Sequence, residues 1–402
     1  MKKSILILLT VFSVASAVHG QNYGWTDISA NIPQTGQDPP RMPDVYFVSD
    51  NEGWITCVNY AEIYHTTDGG ETFEVQTTQY HCNAIHMLNE NEGYAGGSSG
   101  FIYKTIDGGD NWDFYGTTAS TLTDISFPPM GDTGYCCGIN GNIHSIDSSG
   151  VTKMTSGVPD SFAAISFPIN SQEGWVCGGS ILRHFINGNW TAADQDYPSG
   201  GYNAIYMVNS INGWIVGDGG IIAHTEDGKN WFEQTNPDSQ TRTLFDVFFL
   251  NANEGFAVGS GGIILHTTDG GINWTIEGAG LTTESLAGVH FTSPTNGYVV
   301  GTGKTLLKYA ELSGTSNVIV ETLQFEIFPN PAKNKIQIQC SEFKTENGII
   351  ELLSLEGKKI LEKEIESGIE NIELDLNNLK SGMYLCKIST DKKSSTKKLI
   401  IE

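Results

Sequence analysis

One repeat of about forty residues constrains the fold of this chain more than any other feature. Each unit opens with an apolar residue, then any residue, then an aromatic residue or Met, and the openers lie 40, 40, 40, 40, 42 and 42 residues apart. The seven openers are Val45-Tyr46-Phe47, Ile85-His86-Met87, Ile125-Ser126-Phe127, Ile165-Ser166-Phe167, Ile205-Tyr206-Met207, Val247-Phe248-Phe249 and Val289-His290-Phe291. A Gly-aromatic pair, a glycine-rich turn and two further strand-like runs follow most openers, which predicts four short strands per unit.

Four short strands in each of seven units are typical of a seven-bladed β-propeller, an all-β fold. The seventh unit stops at Tyr309-Ala310 without its fourth strand, whereas residues 23–28 (YGWTDI) resemble the start of the fourth strand in residues 273–276 (NWTI). We predict that 23–28 pairs onto the seventh blade and closes the ring, which removes the open sheet edge of a linear array. A linear β-solenoid, the alternative, leaves this complementarity of the two ends unexplained.

The stretch HTTDGGINW at 266–274 contains a turn motif that recurs in other units. Its aspartates are Asp68, Asp107, Asp227 and Asp269, and the aromatic residues that follow them are Phe73, Trp112, Trp231 and Trp274. The motif resembles the Asp box, or BNR repeat, of sialidases and related propellers. In such a turn Asp accepts backbone hydrogen bonds, Gly takes a positive φ and the aromatic ring packs between sheets. Because the Asp recurs blade by blade around the rim, we interpret it as structural and not catalytic.

Five histidines precede the turn motif, one in each of five units: His65, His144, His184, His224 and His266. On a ring of blades they are separated by sheets about 10 Å apart, too far to share an ion bound at about 2 Å. We therefore interpret them as part of the repeat, and expect neither a metal nor another cofactor.

The charge distribution excludes some partners. Residues 21–320 contain 8 basic and 32 acidic residues, whereas 321–402 contain 12 lysines and 14 acidic residues. A surface this acidic repels phosphate backbones and anionic lipids, so nucleic acid is not an expected partner.

The turns sort onto two faces of the propeller because strand direction alternates. The turns between second and third strands and the connections between blades share one face, here called the loop face. Variable loops on a rigid scaffold often form binding sites, and aromatic residues with arginine suit a glycan or a peptide. The candidate ligand-binding residues on the loop face are Arg41, Tyr60, Tyr80, His81, Tyr197, Tyr202 and Arg242. Ordinary solvated loops are the alternative interpretation.

Seven cysteines are an odd number for an exported protein, so at least one lacks a partner in the chain. Cys57 and Cys82 are both predicted near the loop face, where a disulfide between them is possible. Cys137 and Cys177 occupy equivalent second strands of neighbouring blades, and we expect them to be buried as small apolar groups.

The turn motif invites an enzymatic interpretation, which the residues support poorly. Sialidases use three arginines, and this chain has only Arg41, Arg183 and Arg242, with Arg183 predicted on a third strand. They also have six irregular blades and a Tyr nucleophile activated by a carboxylate, and no such pair is recognisable here. A glycoside hydrolase with paired carboxylates stays open as the alternative, because the propeller has many acidic residues.

A second resemblance is to the photosystem II assembly and stability factors. Their repeat has the form G-W-x-x-G-x-x-G-x-I-x-x-T-x-D-G-G-x-x-W, and residues 255–274 (GFAVGSGGIILHTTDGGINW) fit it well. The resemblance covers 44–310 and implies a seven-bladed, non-enzymatic, protein-binding propeller. Those factors use an Arg-rich patch that this acidic propeller lacks, so we do not expect the photosynthetic role to transfer.

The composition changes after residues 311–324, which we interpret as a linker: glycine falls and lysine rises. Six or seven short alternating strands in 325–402 predict a small Ig-like β-sandwich. The segment resembles the C-terminal sorting domain of type IX secretion cargo through Pro329-Asn330-Pro331, the turn at 357–359, the residues Gly382 and Tyr384 in SGMY, and a lysine-rich last strand. The resemblance implies interaction with the type IX machinery, then release or anchoring on surface lipopolysaccharide. An adhesive Ig-like module is the alternative.

The first residues, 1–20 (MKKSILILLTVFSVASAVHG), have the lysines, apolar run and small residues of a secretory signal peptide. A short membrane anchor is the alternative, although the apolar run is too short to span a bilayer comfortably. The expected organisation is a signal peptide (1–20), a propeller (21–310), a linker (311–324) and a sorting domain (325–402). The expected function is a secreted or surface-displayed, non-enzymatic binding propeller with a protein or glycan ligand.

Overall fold

The computed structural model describes residues 23–192, 197–312, 325–344, 347–353, 359–369, 371–377, 379–380, 382–390 and 394–401. The predicted signal peptide and all but two residues of the predicted linker lie outside these residues, as do Gly357, Lys358 and Ser381 of the sorting motif. The chain divides into two compact units, with the boundary after Leu312.

The first unit contains seven four-stranded antiparallel sheets, which we number as blades 1 to 7 in chain order. An initial strand, β1, spans Tyr23–Asp27 and is discussed below. Blades 1 to 3 contain β2 Val45–Phe47, β3 Gly53–Cys57, β4 Glu62–Thr66, β5 Glu74–Thr77; β6 Cys82–Met87, β7 Gly93–Gly97, β8 Phe101–Thr105, β9 Asp113–Thr117; β10 Leu122–Ser126, β11 Gly134–Gly138, β12 Asn142–Asp147 and β13 Gly150–Thr155.

Blades 4 to 7 contain β14 Ala164–Ser166, β15 Glu173–Gly178, β16 Ile181–Ile186, β17 Asn189–Ala192; β18 Tyr202–Met207, β19 Gly213–Gly217, β20 Ile222–Thr225, β21 Phe232–Glu233; β22 Leu244–Phe249, β23 Gly255–Gly259, β24 Ile264–Thr267, β25 Thr275–Glu277; β26 Leu286–Ser293, β27 Asn296–Gly301 and β28 Leu306–Glu311. Short 3-10 turns span Ser29–Asn31, Ser98–Gly100, Asp218–Gly220 and Ser260–Gly262.

The first strands of the blades form the inner wall of a ring. Each of them contacts the first strand of the next blade, and β26 of blade 7 contacts β2 of blade 1. The chain therefore forms the predicted all-β propeller of seven four-stranded sheets.

The outer strand of blade 7 comes from the other end of the propeller sequence. β1 pairs antiparallel with β28 from Tyr23 opposite Glu311 to Asp27 opposite Leu307, which is the pairing that the sequence predicts. β28 continues to Glu311, one residue past the predicted end of the propeller. Trp25 is buried against Phe256 of blade 6 and Phe291 of blade 7, with ring centroids 5.9 and 5.7 Å away.

The Gly-aromatic pair of each repeat has a packing reason. A Cβ atom on Gly53 would lie 2.4 Å from the ring of Phe47, the aromatic residue of the opener. Glycine lets that ring lie flat on the strand, where it stacks on Tyr298 of blade 7 at 3.6 Å. Second strands such as β3 are buried along their whole length. The apolar core of the propeller therefore lies between neighbouring sheets, as aromatic layers.

The suggested disulfide between Cys57 and Cys82 is wrong, because both are free thiols in the structure. Cys57 packs in the layer that contains Tyr298 of blade 7, whereas Cys82 packs with Trp54 in the layer between blades 1 and 2. The sheet of blade 1 thus separates the two sulfurs. Cys137 and Cys177 are fully buried among apolar side chains, as predicted.

The second unit contains two antiparallel sheets. Their strands are β29 Phe325–Phe328, β30 Lys335–Cys340, β31 Gly348–Leu353, β32 Lys359–Ile365, β33 Asn371–Asp375, β34 Gly382–Ser389 and β35 Ser394–Ile401, with a 3-10 turn at Ser341–Lys344. One sheet has the order β29-β30-β33 and the other the order β32-β31-β34-β35. One cluster of buried residues, including Ile338 and Ile350, takes side chains from both sheets.

The residues of the predicted sorting motif fix the last strand of this unit. The Asn330 side chain, between Pro329 and Pro331, donates to the Lys398 carbonyl at 2.7 Å and accepts from the Ile400 N–H at 2.9 Å. Gly382 pairs with Ile401. The Tyr384 hydroxyl donates to the Lys380 carbonyl at 2.8 Å. Across the described residues of both units, no helix is long and apolar enough to span a bilayer.

Replacement of Trp25 tests the closure of the ring. We expect Trp25→Ala to lower the free energy of unfolding by about 3–5 kcal/mol, because it opens a cavity between blades 6 and 7. Phe232→Ala, at a ring that is 69% exposed on outer strand β21, is the matched control, with an expected change below about 0.5 kcal/mol. Urea denaturation followed by Trp fluorescence measures both, and equal effects would contradict closure by β1.

Candidate functional site

The turn around Asp269 is held together by its own side chains. The Thr267 hydroxyl donates to Asp269 Oδ1 at 3.0 Å and accepts from the Gly271 N–H at 2.8 Å. Asp269 then accepts from Asn273 twice, from the backbone N–H at 2.8 Å and from the side-chain amide at 2.7 Å. Gly270 and Gly271 have positive φ, which other residues rarely adopt.

Asp68, Asp107 and Asp227 make the same contacts in blades 1, 2 and 5. Hydrogen bonds from the Thr72 side chain and backbone lower the pKa of Asp68 to about 2, and those from Asn230 do the same for Asp227. Each of these three carboxylates is therefore ionised and exposed, and it is hydrogen-bonded to residues of its own turn. This arrangement suits a structural role better than an acid or base role.

The same turns also clamp neighbouring blades together. The indole N–H groups of Trp54, Trp175 and Trp214 donate to the carbonyls of Gly108, Gly228 and Gly270, each in the turn of the next blade, at 2.9, 3.3 and 3.1 Å. The aromatic residues of the turn motif lie in or beside the same layers. Trp231 and Trp274 are buried there, whereas Phe73 and Trp112 are partly buried.

A glutamine completes two of these clamps. Gln234 of blade 5 donates to the Gly270 carbonyl at 2.8 Å and accepts from the Trp274 indole at 3.1 Å, both in blade 6. Gln76 of blade 1 does the same for Gly108 and Trp112 of blade 2.

The five histidines of the repeat lie on third strands, one in each of five blades. Four of them stack on the aromatic residue of the adjacent second strand: His65 on Trp54, His184 on Trp175, His224 on Trp214 and His266 on Phe256, at 4.6, 4.4, 4.5 and 4.1 Å. They act as packing groups in the blades.

Arg242 is a rigid part of the loop face. Its guanidinium donates to both oxygens of Asp238, at 2.9 and 3.1 Å, and to the Gly261 carbonyl at 3.1 Å. These bonds from Arg242 lower the pKa of the buried Asp238 to about 2. The pair therefore fixes the connection between blades 5 and 6 and leaves the guanidinium little capacity for a ligand.

Four candidate residues lie around blades 1 and 2. The Tyr60 hydroxyl bonds to the backbone of Asp38, which holds the loop that leads to the exposed Arg41. His81 Nδ1 accepts from the Ala61 N–H at 3.1 Å, and Tyr80 stacks on Phe101 at 4.2 Å. Tyr60, Tyr80 and His81 therefore have structural contacts, whereas the Arg41 side chain is exposed.

Tyr202 is not a surface residue, so its prediction as a ligand contact is wrong. Its ring is 1% exposed, and its hydroxyl donates to the Pro198 carbonyl. Tyr202 begins a first strand and packs inward with that strand's apolar residues, and Tyr197 packs beside it. The candidate residues thus lie in three places, around blades 1 and 2, between blades 4 and 5, and between blades 5 and 6, and none of the seven lines the central cavity.

The first strands enclose a central cavity of about 730 Å³. Alternate residues of each strand face it, because side chains of a strand alternate between its faces. Three successive layers line it: Asp44, Asp124, Ala164, Ala204 and Asp246; then Tyr46, His86, Ser126, Ser166, Tyr206, Phe248 and His290; then Leu88, Pro128, Pro168, Val208 and Leu250.

The three aspartates of the first layer join neighbouring blades. Asp246 accepts from the Val247 N–H of its own strand and from the Val289 N–H of blade 7, both at 2.8 Å. Asp44 and Asp124 bridge blades 1 to 2 and 3 to 4 in the same way. Burial raises the pKa of Asp124 to about 6 and of Asp246 to about 7, while burial and the two other aspartates raise that of Asp44.

Five rings of the second layer form an aromatic arc on consecutive blades: Tyr206, Phe248, His290, Tyr46 and His86. The centroids of neighbouring rings are 4.9, 5.1, 4.6 and 4.7 Å apart. Burial lowers the pKa of His86 to about 4 and of His290 to about 3, so both are neutral near pH 7. Ser126 and Ser166 occupy the remaining two blades.

Sequence reasoning missed this cavity, although the signal was present in the repeat. The middle residue of each opener forms the second layer, and the residue before the opener forms the first. Both positions vary between units while their neighbours keep an apolar pattern, which marks them as facing something other than the blade core.

Comparison with known proteins agrees with the two resemblances of the sequence. Residues 188–279 match the family model described as photosynthesis system II assembly factor YCF48, and residues 326–402 match that of a secretion system C-terminal sorting domain. No curated protein sequence matches the chain. The chain therefore combines a propeller that resembles the YCF48 assembly factors with a secretion-system C-terminal sorting domain.

Solved structures match the propeller over most of their length. YCF48 bound to D1 peptide has 23% identity and a TM-score of 0.59, with 71% of this chain and 96% of that chain covered. YCF48 from Cyanidioschyzon merolae has 17% identity and a TM-score of 0.57, with 71% and 98% covered. A virginiamycin B lyase from Staphylococcus aureus has 13% identity and a TM-score of 0.62, with 72% and 99% covered. At such identities the likeness establishes the fold alone.

The inter-blade clamp predicts the effect of replacing Gln234. We expect Gln234→Leu to lower the free energy of unfolding by about 1–3 kcal/mol, because it leaves the buried Trp274 N–H without a partner. Gln240→Leu, at an exposed loop position, is the control and should be nearly neutral. Thermal unfolding measures both, and equal melting temperatures for the two variants would contradict the clamp.

The raised pKa of Asp246 predicts a pH-dependent stability. An acid whose pKa is raised on folding contributes most to stability below its unfolded pKa, near 4, and that contribution is lost as the pH rises towards 7. The stability of Asp246→Asn relative to the natural protein should therefore increase between pH 4 and pH 8. For the control Asp68→Asn, whose carboxyl has a lowered pKa, the difference should be flat above about pH 5. Urea titrations at each pH measure both, and parallel curves for Asp246→Asn would contradict the assignment.

Proposed function

We propose that this protein is a secreted or surface-displayed, non-enzymatic binding propeller that takes a protein or glycan ligand at its centre. The observation that carries this proposal is the central cavity, whose wall is a fixed ring of first strands with an aromatic arc above three carboxylates. Concave sites with aromatic walls and a few convergent polar groups are typical of ligand-binding sites.

The arrangement of the acidic groups favours binding over catalysis. Each oxygen of the three cavity aspartates accepts a backbone N–H, and these bonds hold two blades together. Glycoside hydrolysis requires two carboxyl groups in different roles, one that gives up a proton and one that attacks or activates water, whereas these three share one arrangement of backbone hydrogen bonds. The three arginines also support no sialidase: Arg183 donates to the Ser156 carbonyl, Arg242 pairs with Asp238, and none of them lines the cavity.

The sorting domain supports the proposed location. A C-terminal sorting domain directs its cargo to a secretion system, so the secretion machinery is a partner of the second unit. We propose that the machinery is that of type IX secretion and that the two sheets of this unit form an Ig-like sandwich. The signal peptide at 1–20 and the Asp-box nature of the turns belong to the same proposal.

Two observations support the proposed class of ligand: the lining of the cavity and a solved structure of similar fold with a bound peptide. A YCF48 structure of the same fold holds a D1 peptide, which supports a peptide as one kind of ligand for a propeller of this type. The aromatic arc suits a glycan equally well, because sugar rings and peptide side chains both pack on aromatic faces.

A glycoside hydrolase is the second candidate, since three carboxyl groups share one cavity and two have pKa values raised to about 6 and 7. A printed glycan and peptide array separates the candidates when it reports both the bound protein and the sugar lost from each spot. We expect the purified protein to be retained on spots whose sugar stays intact. Sugar loss that Asp246→Asn abolishes would establish the hydrolase, and an array without any retention would refute the binding role.

A further inference from the structure

We propose that the central cavity recognises an organic ammonium group, borne by an amino sugar or by a lysine side chain. This inference rests on the proposed binding function and names the chemistry that the site selects. Both sources present the same positively charged nitrogen attached to carbon.

The charge of the cavity favours a cation. Three aspartates line it, and the described residues of its wall include neither a lysine nor an arginine. Burial raises the pKa of Asp124 to about 6 and of Asp246 to about 7, so the negative charge of the cavity develops as the pH rises from 6 towards 8. Its two histidines, His86 and His290, are neutral near pH 7. The surrounding segment 21–320 has 8 basic and 32 acidic residues, so its field attracts cations and repels carboxylates, sulfates and phosphates.

The aromatic arc adds a second, independent attraction for a cation. The faces of Tyr and Phe rings attract ammonium groups through their quadrupoles, and the effect grows where water is excluded. Phe248 and Tyr206 lie 4.9 Å apart and Tyr46 continues the same arc, so one guest meets several rings at once. The rings also receive the carbon atoms that carry the charged nitrogen.

The aspartates complete the site as hydrogen-bond acceptors. An ionised carboxylate has about four lone-pair positions, and the two backbone N–H groups occupy only two of them on each aspartate. The others are free to accept N–H bonds from an ammonium group. Bonds of this kind to a charged donor are stronger than neutral ones.

The geometry is unsuited to a metal ion. Among the residues that the structure describes, no three His, Cys, Asp or Glu side chains come together as metal ligands. Asp44, Asp124 and Asp246 lie on blades 1, 3 and 6, with other blades between them. A metal ion requires its ligands at about 2 Å. An organic cation is larger, so it fits the spacing between these aspartates better than a metal ion does.

The test compares two charged ligands with their neutral counterparts by titration calorimetry at pH 8. One pair is a glucosamine tetramer and its fully N-acetylated form. The other is a capped Gly-Lys-Gly peptide and its Nε-acetyl-lysine form. We expect one of the charged ligands, or both, to bind at least tenfold more tightly than the acetylated counterpart, and the pair that responds identifies the source of the ammonium group.

Two variants locate the binding in the cavity. Phe248→Leu removes a ring face and should weaken binding about fivefold, and Asp246→Asn removes a charge and should weaken it about tenfold. Phe232→Leu, on the outer strand, is the matched control and should bind as the natural protein does. Since Phe248→Leu keeps the charges and an apolar side chain, it tests the site even where Asp246→Asn is unstable.

The pH dependence gives a further readout. An ammonium guest favours the ionised carboxylates, so its affinity should fall as the pH decreases from 8 to 5 and the aspartates become protonated. The titratable groups that face the cavity are Asp44, Asp124, Asp246, Tyr46, Tyr206, His86 and His290.

The outcomes separate this inference from the binding function itself. Equal affinity for charged and acetylated ligands, no binding of either charged ligand, or binding that Phe248→Leu leaves unchanged would each overturn the ammonium site. If the array still retains the protein in such a case, the binding propeller stands and only its ligand chemistry is wrong. Absence of binding in both experiments overturns both proposals.

Discussion

Contact between neighbouring blades is the interaction on which the rest of this propeller depends. Each four-stranded sheet is too small to bury its aromatic residues alone, so these side chains form layers shared by two sheets. The indole of Trp214 shows how one layer is locked, because it packs between blades 5 and 6 and also donates to the Gly270 carbonyl. The turn motif is thus a clamp between blades, and β1 supplies the last outer strand and, through Trp25, packing between blades 6 and 7.

Contacts between neighbouring blades also form the wall of the cavity. Asp44, Asp124 and Asp246 join the first strands of neighbouring blades, and their carboxyl groups line the enclosed space. Burial of these acids raises their pKa values, so the same carboxyl groups both connect the blades and line the cavity. A site fixed in this way is preorganised for a guest, which reduces the cost of ordering it on binding.

The loop face and the cavity differ in what they offer a ligand. On the loop face, the polar side-chain atoms of Arg242 and Tyr60 are hydrogen-bonded to other loop residues, and Tyr202 is buried. In the cavity, by contrast, five rings and three aspartates of different blades line the same space. Residue type alone pointed to the loops, because aromatic and basic residues are conspicuous there, whereas the cavity residues are hidden within ordinary strand patterns.

The sequence by itself determined the repeat, and with it the number of blades, the closing strand and the positions of the turn motif, because strand periodicity and turn chemistry are local properties of the chain. It also distinguished the propeller from the sorting domain through composition and motif. Only the tertiary structure decided which side chains meet: that Cys57 and Cys82 lie on opposite sides of one sheet, that Asp238 holds Arg242, and that the middle residues of five openers form one aromatic arc. These contacts join residues of different blades, and their distances depend on how the ring closes, which no local pattern specifies.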